Sequence, residues 1–119
     1  LLTGRTQSSQ FPTTNAALDD QLGGEVDAFL TRLTPPGDQL DYSAYIGGSD
    51  WDTSLGIEAR PNNLVYLTGW TRWSSMSASD FPVTTGSYDV AHNGDYDIFI
   101  VTYQFPIDQK IYIPVMTRP

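Results

Sequence analysis

The feature that most restricts this chain is that it repeats itself. Leu2-Thr3-Gly4-Arg5-Thr6 returns as Leu67-Thr68-Gly69-Trp70-Thr71, 65 residues on. Phe11-Pro12-Thr13-Thr14 returns as Phe81-Pro82-Val83-Thr84, and Asp27-Ala28-Phe29-Leu30 as Asp97-Ile98-Phe99-Ile100, both 70 residues on. The difference of five residues places an insertion between Trp70 and Phe81, in the surface loop predicted over Trp73 to Ala78. Pro106, Asp108, Gln109 and Tyr112 continue the longer spacing from Pro36, Asp38, Gln39 and Tyr42, and the match decays after Tyr112. Units repeated at such a period bury their faces by stacking on one another.

The repeated segments read as strands. Asp27 to Leu33 and Leu40 to Ile46 alternate with period two, and Thr34 to Asp38 (TPPGD) between them makes a turn, so the pair predicts a hairpin. Gly47-Gly48-Ser49-Asp50 breaks the sheet, Thr53 to Ala59 is a further strand, Pro61-Asn62-Asn63 turns the chain, and Leu64 to Trp70 resumes it. Asn15 to Gly24 predicts one or two helical turns, with Asn15 as cap and Gly23 as stop.

Labelling the unit from Asp27 as strands a, b, c and d, the chain runs d, then a-b-c-d, then a-b: seven strands, with one c-type strand wanting for two four-stranded blades. The expected fold is all-β, of antiparallel four-stranded propeller-like blades, with a β-sandwich of the same strands as the alternative. The whole of 1–119 is taken as one repeat module: a partial blade over 1–26, a complete blade over 27–71, a loop over 72–96 and a partial blade over 97–119. Open strand edges favour pairing with another chain. Leu1 falls inside a strand, so a processed or excerpted product is expected.

Composition removes several chemistries. Fourteen Asp and Glu against six Lys and Arg give a net charge of -8, which disfavours nucleic acid as a partner. No cysteine is available for a disulfide, a thiolate zinc site or a thiol nucleophile, and the single lysine (Lys110) and single histidine (His92) sit in no catalytic motif. Gly47-Gly48-Ser49 lacks the Gly-x-Ser-x-Gly pattern of a nucleophile elbow, and Gly23-Gly24 is followed by neither a lysine nor a long helix. No apolar run reaches the ~20 residues of a membrane helix, so membrane insertion is not expected. No enzyme activity or obligatory cofactor is expected.

Two side-chain groupings could still bind a ligand. Asp50 and Asp52, and likewise Asp95 and Asp97, alternate beside glycine-containing loops, where oxygens could converge on calcium. The competing reading is that these aspartates cap turns and open strands. Trp51, Trp73 and Tyr96 could stack on glycans, with Trp70, directly after a strand, read as packing.

The linked elements Tyr42-Ser-Ala-Tyr-Ile-Gly-Gly-Ser-Asp50, Gly56-Ile57, Val65-Tyr66-Leu67-Thr68-Gly69, Asp80-Phe81-Pro82 and Asp97-Ile98-Phe99-Ile100 resemble the bacterial SBBP, or seven-bladed β-propeller, repeat. The likeness covers nearly the whole chain in about one and two-thirds copies. It departs at Arg60-Pro61, in the loop from Trp73 and in a terminal copy without the double glycine. The resemblance implies one four-stranded blade per copy and a secreted or cell-surface bacterial protein, with no activity attached to the repeat. The expected role is structural, with further copies of the chain or the rest of a longer chain as partners; a glycan- or calcium-binding adhesion module is the alternative.

Overall fold

The computed structural model describes residues 1–73 and 80–106. Six strands are present among them: β1 (Leu2–Thr6), β2 (Asp27–Leu33), β3 (Leu40–Ile46), β4 (Asp52–Arg60), β5 (Leu64–Arg72) and β6 (Tyr96–Gln104). Each coincides with a strand read from the repeat. The insertion from Ser74 onward and the terminal b-type strand around Tyr112 lie outside the described residues.

Local chemistry sets the two hairpins. The β2–β3 turn closes with the Thr34 N–H donating to the Gln39 carbonyl at 2.9 Å, and Gly37 supplies the left-handed residue at φ 99°. Between β4 and β5, Asn62 and Asn63 both take positive φ, 63° and 61°, a conformation asparagine tolerates better than most side chains. The chain then returns with Arg60 opposite Leu64.

The strands form two antiparallel three-stranded sheets, β1-β2-β3 and β4-β5-β6. The protein is therefore all-β, in a sandwich-like arrangement. Residues 27–71, expected as one four-stranded blade, are shared between the two sheets: β2 and β3 lie in the first, β4 and β5 in the second. The division falls at Gly47-Gly48, and an isolated parallel bridge from Val26 to Trp51 ties the sheets together there. Strand β4, of type c, pairs with β5 of type d, which pairs with β6, the a-type strand of the next copy.

Alternation puts one face of each sheet into a shared core. Ala28, Leu30, Tyr42, Ala44 and Ile46 of the first sheet meet Val65, Leu67 and Phe99 of the second, with Phe105 closing one end. Each fully buried aliphatic side chain contributes about 1.5–3 kcal/mol. The Tyr42 ring lies 5.0 Å from Tyr103 and 5.2 Å from Phe105, and the Arg32 guanidinium sits 3.8 Å over the Phe105 ring.

Part of the other face of the first sheet, over Phe29 and Tyr45, is covered by the segment after β1. Phe11 packs on Phe29 at 4.7 Å and on Tyr45 at 5.8 Å, while the Tyr45 hydroxyl donates to the Ser8 carbonyl at 2.6 Å and accepts from the Phe11 N–H at 3.1 Å. The helical turns expected over Asn15 to Gly24 do not form. The backbone there serves the open edge of β3: the Thr14 N–H donates to the Ser43 carbonyl at 3.0 Å, and the Asp19 carbonyl accepts from the Tyr45 N–H at 2.9 Å. Covering an exposed strand edge outweighs the weak propensity of a short helix.

Candidate functional site

The most unusual chemistry lies at the joint between the sheets, where an aspartate at the start of a strand reaches back to the loop before it. Asp27 accepts from the N–H groups of Gly23 at 2.8 Å and Gly24 at 3.2 Å. Asp52 accepts from Gly48 N–H at 2.8 Å, and Asp97 from Asn93 N–H at 2.6 Å. In all three the principal donor stands four residues earlier. These clamps satisfy loop amides that the sheets leave unpaired.

Asp27 and Asp52 are fully buried, and Gly47 separates them. A Cβ at Gly47 would lie 2.7 Å from Asp27 Cγ and 2.7 Å from Asp52 Oδ2, so only glycine lets the chain pass between the two carboxyl groups. Asp80 closes the cluster by accepting from the Ser49 N–H at 2.6 Å and the Ser49 hydroxyl at 3.1 Å. Asp52 Oδ1 is buried without a hydrogen-bond partner.

Burial is the main cause that pushes the Asp52 carboxyl up, to about 6, and the negative charges of Asp27 and Asp80 add to it. Hydrogen bonds from Thr71 and Gly48 oppose the shift. Asp27 is also raised by burial, against the pull of the Gly23 and Gly24 amides, with Asp19 and Asp80 adding repulsion. The joint can therefore take up a proton near pH 6.

The members of the two aspartate pairs expected to bind calcium take different settings. Asp52 is enclosed in the joint, Asp50 is half-buried in the loop before β4, Asp95 is exposed before β6, and Asp97 is half-buried in its own clamp. Across the sheet Asp52 faces Thr71, which faces Asp97, placing the two acids two strand spacings apart, roughly 10 Å. Among the described residues no group of three or more His, Asp or Glu side chains is placed to hold a metal ion. Asp27 and Asp80, which complete the cluster with Asp52, were not singled out by the sequence. The match of Asp27 to Asp97 and the spacing from Gly23-Gly24 were the signals that could have found Asp27.

The aromatic residues are partly brought together. The Arg72 N–H donates to the Trp51 carbonyl at 2.7 Å and Arg72 pairs with Tyr96, so Trp51 and Tyr96 flank Arg72 at one end of the second sheet. The Trp51 indole N–H donates to Glu25 at 2.7 Å, and Tyr96 packs edge-on to Trp70 at 5.3 Å. The Trp73 ring lies 5.5 Å from His92 instead. His92 Nδ1 is 3.6 Å from Asp97, and its Nε2 is buried without a partner. Thr71 is the hydroxyl residue lining the adjoining cavity of about 150 Å³.

Several local contacts recur in the two copies. Phe81 stacks on Phe99 at 4.8 Å as Phe11 does on Phe29. The Thr68 hydroxyl donates to the Phe99 carbonyl at 3.1 Å, as Thr3 does to Phe29 at 2.7 Å. The turn closed by Ala17 N–H on the Thr14 carbonyl recurs as Ser87 N–H on the Thr84 carbonyl. No family model, curated protein or solved structure matches the chain.

Proposed function

We propose that this chain is a non-catalytic structural repeat module of a bacterial secreted or cell-surface protein, assembling by strand or blade completion into a larger propeller, appendage or fibre. The observation that supports this reading is the duplicated contact set: the aromatic pair, the threonine-to-carbonyl bond and the aspartate clamp serve packing and turn geometry in both copies. A module that repeats its packing contacts extends by adding units. Strand β1 hydrogen-bonds to β2 alone among the described strands, leaving an edge on which the wanting c-type strand would pair.

Sedimentation velocity on the native chain, with circular dichroism to establish β structure, tests the reading. Species heavier than the monomer are expected. A monodisperse monomer with intact β structure would remove the assembly role.

A further inference from the structure

We infer that the outer face of the β4-β5-β6 sheet docks the outer face of the β1-β2-β3 sheet of a second copy of this chain, stacking copies head to tail. This rests on the assembly role above and names its surface, partner and polarity.

The inference starts from positions that the repeat makes equivalent and the fold treats oppositely. Ala28 and Leu30 are 0% and 1% exposed because the second sheet covers them, whereas their counterparts Ile98 and Ile100 are 83% and 73% exposed. Trp70 lies beside Ile98 in the register and Thr68 beside Ile100, so the two isoleucines stand in a continuous patch. Single exposed apolar residues are ordinary, but an apolar row on a sheet face marks a contact surface.

The complementary half stands on the far side of the molecule. Leu67 and Phe99 of the second sheet are 1% and 6% exposed against the first sheet, and their equivalents Leu2 and Phe29 line the outer face of the first. Leu2 is 51% exposed, and Leu33 on the same face is 36% exposed. The molecule thus holds one complete joint inside and half of the same joint on each outer side.

Two unlike halves define a heterologous contact, which builds rings or filaments and cannot close as a two-fold dimer. The outer rows Trp70–Ile98 and Thr68–Ile100 carry no charge, and the charges of that face, Arg72 on one side and Glu58 with Arg60 on the other, flank them. A second copy is the partner whose chemistry is on the page, because its first sheet presents the residue positions that already meet the Ala28–Leu30 row within one chain.

Two double variants test the pairing: Ile98→Lys with Ile100→Lys, and Leu2→Lys with Leu33→Lys. Sedimentation equilibrium on the wild-type chain should show growth beyond the dimer with concentration. Either variant alone should associate roughly 100-fold more weakly or not at all. An equimolar mixture should form dimers that stop at two chains, because each variant keeps one intact face. Should a lysine variant fail to fold by circular dichroism, Ile98→Thr with Ile100→Thr preserves β preference and should still weaken association.

Association of a folded Ile98/Ile100 variant at wild-type strength would overturn the inference and leave the assembly role standing. So would folded variants that remain monomeric when mixed, or a Leu2/Leu33 variant that still dimerises alone. A wild-type chain monomeric at every concentration would remove both.

Discussion

The two sheets share one sequence pattern and have different surroundings. The first is covered by the second sheet on one face and, over Phe29 and Tyr45, by the Phe11 segment on part of the other, where Leu2 stays 51% exposed, and the edge of β3 is closed by the backbone of Thr14 and Asp19. Among the described residues the second is covered on one face, and Ile98 and Ile100 stand open on the other. Its Thr84 and Asp89 keep the same local turns as Thr14 and Asp19, with Ser87 N–H on the Thr84 carbonyl at 3.1 Å and Ala91 N–H on Asp89 at 2.9 Å. Burial in this fold is thus decided by position in the stack, and local turn geometry is independent of it.

The sharpest way to break this comparison is to truncate equivalent core positions. Leu30→Ala should cost about 2–5 kcal/mol, because it opens a cavity between the sheets. Ile100→Ala, at the matching position, should stay within about 0.5 kcal/mol when measured on the monomer by denaturant unfolding. Equal losses would mean that the two faces are not differently covered.

Glycines offer the same contrast in steric form. A Cβ at Gly24 would overlap the Asp50 carbonyl oxygen across the joint, whereas nothing lies within 4 Å of one at the equivalent Gly94. Gly24→Ala should therefore cost about 1–3 kcal/mol in thermal unfolding, and Gly94→Ala should be near neutral.

The joint also carries the pH dependence. The Asp52 carboxyl is raised in the folded chain from 3.8 to about 6, so between those values the folded state binds more protons than the unfolded. Its contribution to stability consequently falls as pH rises through this window. Asp52→Asn cannot ionise, and relative to wild type it should gain about 2 kcal/mol between pH 4 and pH 8. A flat difference across paired unfolding curves would show that the buried carboxyl is not strained by ionisation.

The smallest expected effect concerns the cover of the first sheet. Tyr45→Phe removes a hydroxyl that serves Ser8 and Phe11 in a buried setting, and should cost about 1 kcal/mol. Faster amide exchange should follow at Phe11, whose N–H keeps only its longer bond to the Ser8 carbonyl at 3.3 Å, while the second sheet stays unchanged.

Much of this was legible from residue order. The strands from Asp27, Leu40 and Leu64 were found because alternation and turn residues act over a few positions, and the match of Phe11–Phe29 to Phe81–Phe99 followed from equal spacing. The double glycine was legible as a break but not as a passage between two carboxyl groups. That role depends on Asp27 and Asp52, 25 residues apart, arriving at the same point. The segment after Asn15 was misread because its hydrogen-bond partners lie on β3, beyond any local signal.

By itself the sequence determined an all-β chain, the strand positions and the repeated packing contacts, since all of these depend on the two-residue side-chain period and on local turn chemistry. Only the tertiary structure decided that Gly47-Gly48 divides one expected blade between two sheets, that Asp27, Asp52 and Asp80 gather there, and that Leu30 is enclosed while Ile100 faces outward. Those outcomes depend on which surface stacks on which, and identical residue patterns do not distinguish a covered face from an open one.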